Sequence, residues 1–160
     1  KVRILSSGGI TFNGDTAAAN ALDDYEEGTW TPTVNFSGGA TSLVYNYNVG
    51  IYTKVGRLVT CDFALGLSNK GTSNGTFTID GLPFTVNDWT AETALDGGSI
   101  SIGYWNDAGS LSDFGMVCKG ATTSMVGFKK STGDGSLATS MTQSNVGDSF
   151  EIRGSFSFTV

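Results

Sequence analysis

Histidine is absent from this chain, cysteine occurs only twice, and charged residues make up only 15% of it. Each scarcity excludes a class of chemistry. Zinc centres of the usual Cys/His type need ligands that are not present, and Cys61 and Cys118 lie far apart with no C-x-x-C spacing. A serine or cysteine nucleophile ordinarily relies on a histidine base, so that route to catalysis is closed and only lysine-based dyads stay formally open. No catalytic residue, metal or cofactor is expected. Nine basic residues are scattered among 15 acidic ones, for a net charge of −6, the wrong balance for gripping a phosphate backbone, so no nucleic-acid partner is expected. No apolar run approaches the roughly 20 residues that span a bilayer, so no membrane insertion is expected either.

What is plentiful is glycine, serine and threonine, with apolar residues distributed in short runs. That is the composition of a turn-rich β protein that folds, not of a disordered chain. A length of 160 residues suits one domain, able to bury roughly two thirds of the surface exposed by the unfolded chain. The first residue is Lys1 and "KVRILSSGGITF" already reads as strand, so the polypeptide is expected to begin partway through a longer one.

Period-two alternation locates the strands. Val59, Cys61, Phe63, Leu65 and Leu67 interleave with Thr60, Asp62, Ala64, Gly66 and Ser68, as in a strand with one buried face. In this pattern Cys61 is a small core residue, expected to be a free buried thiol. "FEIRGSFSFTV" repeats the pattern, with Phe150, Ile152, Phe156, Phe158 and Val160 on one side. Shorter candidates are "GTFTI" at 75–79, "SISIGYW" at 99–105, "FGMVCK" at 114–119 and "SMVGFKK" at 124–130. Short strands separated by Gly, Asn, Asp and Ser clusters predict a sandwich or barrel. In "VGIYTKVGRLVTC" the segment Lys54–Val55–Gly56 predicts a hairpin, because glycine accepts the positive φ that a tight turn demands.

One stretch departs from this pattern. In "GDTAAANALDDYEEGTWTPTV", residues 14–34, Thr16 is placed to cap a helix in which Ala18, Leu22 and Tyr25 fall at spacings of four and three. Such a helix is below the roughly 12 to 15 residues that hold in water alone. Asp23, Asp24, Glu26 and Glu27 also crowd its C-terminal end, where the helix dipole disfavours them. Two readings remain open: contact between symmetry copies through the small alanines, with Leu22 and Tyr25 packed on the following domain, or a helix resting on its own domain.

The phrase "GGITFNGDTAAANALDDYEEGTWTPTV", with "YTKVGRLVTCDFALGL" and "GTFTIDGLPF" after it, resembles the C-terminal domain of bacteriophage tail fibres and related tail proteins. Asp23, Asp24, Tyr25, Glu26, Gly28, Trp30 and Pro32 carry most of that likeness, which fades after about residue 85. The resemblance implies a homotrimer at the distal end of the fibre in the virion. Residues 1–28 would be the shaft end and a short connecting helix, with trimer contacts at Ala18, Leu22 and Tyr25. Residues 29–160 would form an all-β, antiparallel, jelly-roll-like sandwich tip. It further implies a non-enzymatic tip that attaches to a bacterial surface glycan or outer-membrane protein, with the acidic turn held by Lys54 or Arg57. The alternative within the same class is a polysaccharide depolymerase or a trimerisation/chaperone domain.

For ligand binding the useful signal is aromatic residues among short polar ones: Trp89 in "VNDWTAET", and Tyr104, Trp105, Asn106 and Asp107 in "IGYWNDAG". Flat rings stack on the C–H faces of sugars while Asn and Asp hold hydroxyls. The competing reading is that the tryptophans cover core edges. Asn106, Asp107, Ser110 and Asp113, like Asp134 in "STGDGS", suit either turns or an oxygen-rich calcium loop. The clustered carboxylates of "LDDYEEG" are adjacent in sequence and do not face one another across a scissile bond, so a surface turn is expected there.

Overall fold

A computed structural model describes residues 1–6, 8–17, 21–22, 24–89, 98, 100–109, 114–129 and 139–160. The domain is built on one long antiparallel hairpin, β6 (Val44–Val55) and β7 (Leu58–Asn69). The turn falls where the sequence places it, with Gly56 at φ 57°. β3 (Tyr25–Trp30) extends this sheet beside β6. On the far side of β7 lie β14 (Glu151–Thr159) and then β10 (Ser101–Asn106), for the order β10-β14-β7-β6-β3. A second antiparallel sheet runs β11 (Phe114–Lys119), β12 (Ser124–Lys129), β9 (Phe77–Asp80), β4 (Thr33–Phe36), with β13 (Thr139–Ser140) also paired to β12. The result is all-β and sandwich-like, and no α-helix occurs among the described residues.

The core lies between the two sheets and follows from the alternation. Val59, Cys61, Phe63, Leu65 and Leu67 are all buried, and in register Leu65 faces Ile152, Cys61 faces Phe156 and Val59 faces Phe158. Phe36, Phe77, Ile79, Met116, Cys118 and Met125 line the inner side of the opposing sheet. Phe77 meets Phe150 edge-on at 5.5 Å. Trp30, Phe63 and Phe156 form a triangle of tilted and edge contacts near 6 Å, a favoured geometry for aromatic rings. Both cysteines are free and buried.

The helix expected over the acidic stretch is not formed in its described part. Leu22 makes a two-way backbone bridge with Ile10, and Tyr25, Glu26 and Glu27 are strand residues paired with Val55, Lys54 and Thr53. Period two, rather than a helical period, governs here: exposed Glu26 and half-buried Gly28 share the face of buried Trp30, and Tyr25, Glu27 and Thr29 lie on the other. The reason sits in β6. Lys54 is only 7% exposed; it forms an ion pair with Asp24 and lies 5.5 Å from the Phe84 ring. Glu26 accepts a hydrogen bond from the Tyr52 hydroxyl. Of the two cations expected to hold the acidic turn, Lys54 does so, and Arg57 instead donates its Nε to the Val160 carbonyl at 2.9 Å. Ala18 lies outside the described residues, while Leu22 and Tyr25 are exposed. The expected domain boundary at residue 28 falls inside β3.

Ahead of β3 stands a separate two-stranded ribbon, β1 (Val2–Ile4) with β2 (Ile10–Phe12), which pairs with no strand of the sandwich. Its register sets Val2 opposite Phe12 and Ile4 opposite Ile10, so all four side chains share one face. They are 63%, 56%, 78% and 38% exposed respectively. At the opposite end of the long hairpin a second small ribbon pairs β5 (Ala40–Thr41) with β8 (Thr72–Ser73). Val44 and Val55 are eleven residues apart on β6, so the two ends are separated by about 36 Å.

Candidate functional site

The outer face of the five-stranded sheet is turned away from the core, and its cross-strand register decides what is displayed. One row runs Asn106, Glu151, Gly66, Tyr47, and the next runs Tyr104, Arg153, Ala64, Val49. A bulge between Ile102 and Tyr104 sets Tyr104 opposite Arg153. Tyr47 lies flat across β7 because position 66 has no side chain: a Cβ there would come within 2.8 Å of the Tyr47 ring. That close approach carries the Tyr47 hydroxyl to Arg153, whose Nη2 donates to it at 3.3 Å.

The Arg153 guanidinium is thereby bracketed by two rings, 5.6 Å from the Tyr47 centroid and 5.3 Å from the Tyr104 centroid. This is cation–π distance. The hydrogen bond to Tyr47 is the leading cause that raises the arginine's already high pKa, so the guanidinium is a permanent charge. Tyr104 and Arg153 are exposed. The arrangement is a flat, partly aromatic surface with a fixed cation and two neighbouring acceptors, Glu151 and Asn106. Such a surface can stack on an apolar face and donate to oxygen atoms; it contains no nucleophile–base pair.

The other residues singled out from sequence occupy different places. Trp105 points to the opposite side of β10 from Tyr104, in register with buried Ile152, and meets Phe114 edge-on at 5.4 Å. It therefore closes the edge of the core. Asn106 and Asp107 stand at the end of β10. The Asp107 carboxylate accepts from the Ser149 amide at 2.9 Å and its carbonyl accepts from the Gly147 amide at 2.9 Å, which ties down a neighbouring loop. Trp89 is 68% exposed, but its Nε1 reaches Thr159 Oγ1 at 3.3 Å. Thr159 and Arg153 are six residues apart on β14, about 20 Å along the strand. Trp89 and Tyr104 thus belong to separate surfaces.

Among the described residues no cluster of His, Cys, Asp and Glu suits a metal ion. Ser110, Asp113 and Asp134, the other oxygen donors of the two calcium-like stretches, lie outside the described residues. Cys61 and Cys118 have no place in the site, since burial pushes both thiols up to about 12 and keeps them protonated at neutral pH. Tyr47 and Arg153 are the residues sequence reasoning missed. Each shows only as an outward position in an alternating strand, and their meeting depends on a glycine in a third strand. No family model matches the chain, and no match is found among curated proteins or solved structures.

Proposed function

We propose that this chain is the receptor-binding tip of a bacteriophage tail fibre: a non-enzymatic homotrimer at the distal end of the fibre that attaches the virion to a bacterial surface glycan or outer-membrane protein. The observation that carries the reading is the cluster of exposed Tyr104 and Arg153 with half-buried Tyr47, an aromatic and cationic surface displayed on the outer face of the sheet. Two features support the trimer. The β1–β2 ribbon exposes a continuous apolar face, and a two-stranded ribbon is at best marginally stable alone in water. Its only charges are Lys1 and Arg3, whereas the edge strand β3 carries Glu26 and Glu27, so the ribbon of one copy complements the sheet edge of another.

The test is retention of the labelled full chain on candidate host cells, with and without removal of surface polysaccharide. Arg153→Ala and Tyr104→Ala should each weaken retention roughly thirtyfold, as expected for a hot spot of about 2 kcal/mol. Both residues are exposed, so the melting temperature should hardly move. Unchanged retention by both variants would refute the role given to this face.

A further inference from the structure

The outer face of the five-stranded sheet changes character over β6 and β7. Where one face of an antiparallel sheet is solvated, its outward positions are ordinarily polar, and Thr29, Thr53, Thr60, Ser155 and Ser157 follow that rule on this face. Val49, Ile51 and Ala64 break it. Val49 pairs with Ala64 and Ile51 with Asp62, and Val49 and Ile51 are each more than half exposed. With Gly50, Asp62 and Phe63 they line a shallow depression of about 260 Å³. A second uncovered apolar surface of the chain is the ribbon face made by Val2, Ile4, Ile10 and Phe12. The charges on the two surfaces are opposite. The ribbon carries Lys1 and Arg3, whereas the sheet face carries Asp62 and, one row toward the Gly56 turn, Glu27. Among the described residues neither carboxylate forms an ion pair.

We propose that this depression seats the β1–β2 ribbon of a second copy of the chain, with Phe12 lodged between Val49, Ile51 and Ala64. The contact removes two apolar faces from water by packing one sheet on another, as the sandwich does inside a single chain. Charge sets its direction. Asp62 and Glu27 attract Lys1 and Arg3, while Arg153, the neighbour of Ala64 in register, repels them, so the basic flank of the ribbon turns toward β3. The ribbon and its seat are different surfaces of the chain, which makes the contact heterologous: each copy gives a ribbon and receives one, and a suitable rotation closes such contacts into a ring. That the ring holds three copies rests on the trimer reading above, whereas the ribbon-to-face contact does not.

The experiment mixes two variants of the full chain, each with one half of the contact spoiled, and measures mass by sedimentation. Phe12→Asp damages the ribbon and keeps the face. Ile51→Lys damages the face and keeps the ribbon; its new cation stands opposite Asp62, a favourable cross-strand pair, and repels Lys1 and Arg3. Each variant alone should stay folded by circular dichroism and run as a single chain of 16.6 kDa. Equal parts of the two should form a heterodimer of about 33 kDa, twice that mass, through one intact ribbon and one intact face. A second measurement captures the contact covalently. Under mild oxidation the double variant Phe12→Cys/Ile51→Cys should give disulfide-linked chains on a non-reducing gel while Phe12→Cys alone should not, because the native cysteines are buried. An Ile51→Lys chain that assembles like wild type, a mixture that stays monomeric, or a double-cysteine chain without linked product would overturn the proposal. So would linkage of Phe12→Cys alone, which would show ribbons meeting ribbons. A monomeric wild type that host cells nevertheless retain would overturn this contact and leave receptor binding standing. Complementation by a chain that no cell retains would instead sink the receptor reading and keep the contact.

Discussion

The β6–β7 hairpin and the β1–β2 ribbon obey the same local rule and meet opposite fates. Each is antiparallel, and both strand β7 and the ribbon gather apolar side chains on one face by period-two alternation, whereas β6 turns Val49 and Ile51 out to solvent. In β7 that face, from Val59 to Leu67, is wholly buried against the second sheet. In the ribbon the face made by Val2, Ile4, Ile10 and Phe12 meets solvent. Burying an aliphatic or aromatic side chain contributes about 1.5–3 kcal/mol, so the ribbon forgoes a gain that its geometry is arranged to collect. In the proposed assembly a second copy of the chain would cover this face.

The sharpest way to break the comparison is to place the same charge on each face. Phe63→Asp sets a carboxylate in a dry core, where loss of the ring alone costs about 3–5 kcal/mol and the unpaired charge adds to it; circular dichroism should show an unfolded chain. Phe12→Asp should leave the sandwich folded with the same melting temperature at low concentration, and abolish self-association. Equal damage from both substitutions would show that the ribbon belongs to the same core.

A smaller effect tests the sandwich edge. Trp105→Ala removes a ring that packs on Phe114 and is 38% exposed, so it should cost about 2 kcal/mol, below the 3–5 of a fully buried tryptophan. Urea titration would measure it. A loss below about 0.5 kcal/mol would return Trp105 to the set of free surface aromatics.

A test that needs no substitution is alkaline pH, which acts on the core hairpin through Cys61 and on the second sheet through Cys118. The two thiols are raised from their ordinary value of 9.0 to about 12 by burial. In the unfolded chain they ionise near pH 9, so between pH 9 and 12 the unfolded state binds fewer protons and stability falls as pH rises. The limiting slope is about 1.4 kcal/mol per pH unit for each thiol, and below pH 9 the contribution is complete. The double variant Cys61→Ala/Cys118→Ala should give a flatter profile, and an identical slope would remove the thiols from the account.

Strands β7 and β14 and the Gly56 turn were legible in the sequence because alternation and a glycine are local signals. The helix expected through Ala18, Leu22 and Tyr25 was misread for a physical reason. The partner that holds Glu26 in the strand is Tyr52, and the one that holds Asp24 is Lys54, 26 and 30 residues away. Of the candidate site, Tyr104 was legible as an aromatic among polar residues. Its neighbour Arg153 and the second ring, Tyr47, were not, since their meeting needs the register of four strands and the empty position at Gly66. The proximity of Trp89 to Tyr104 in sequence, likewise, says nothing of the 20 Å that about six strand residues place between their surfaces.

The most direct test of the ribbon's role is the mass of the full chain in solution, measured by sedimentation across a range of micromolar concentrations. A trimer sediments as a species of about 50 kDa, three times the 16.6 kDa chain, and Phe12→Asp should reduce it to the single-chain mass. A wild-type chain that sediments as a folded 16.6 kDa monomer throughout that range would contradict it.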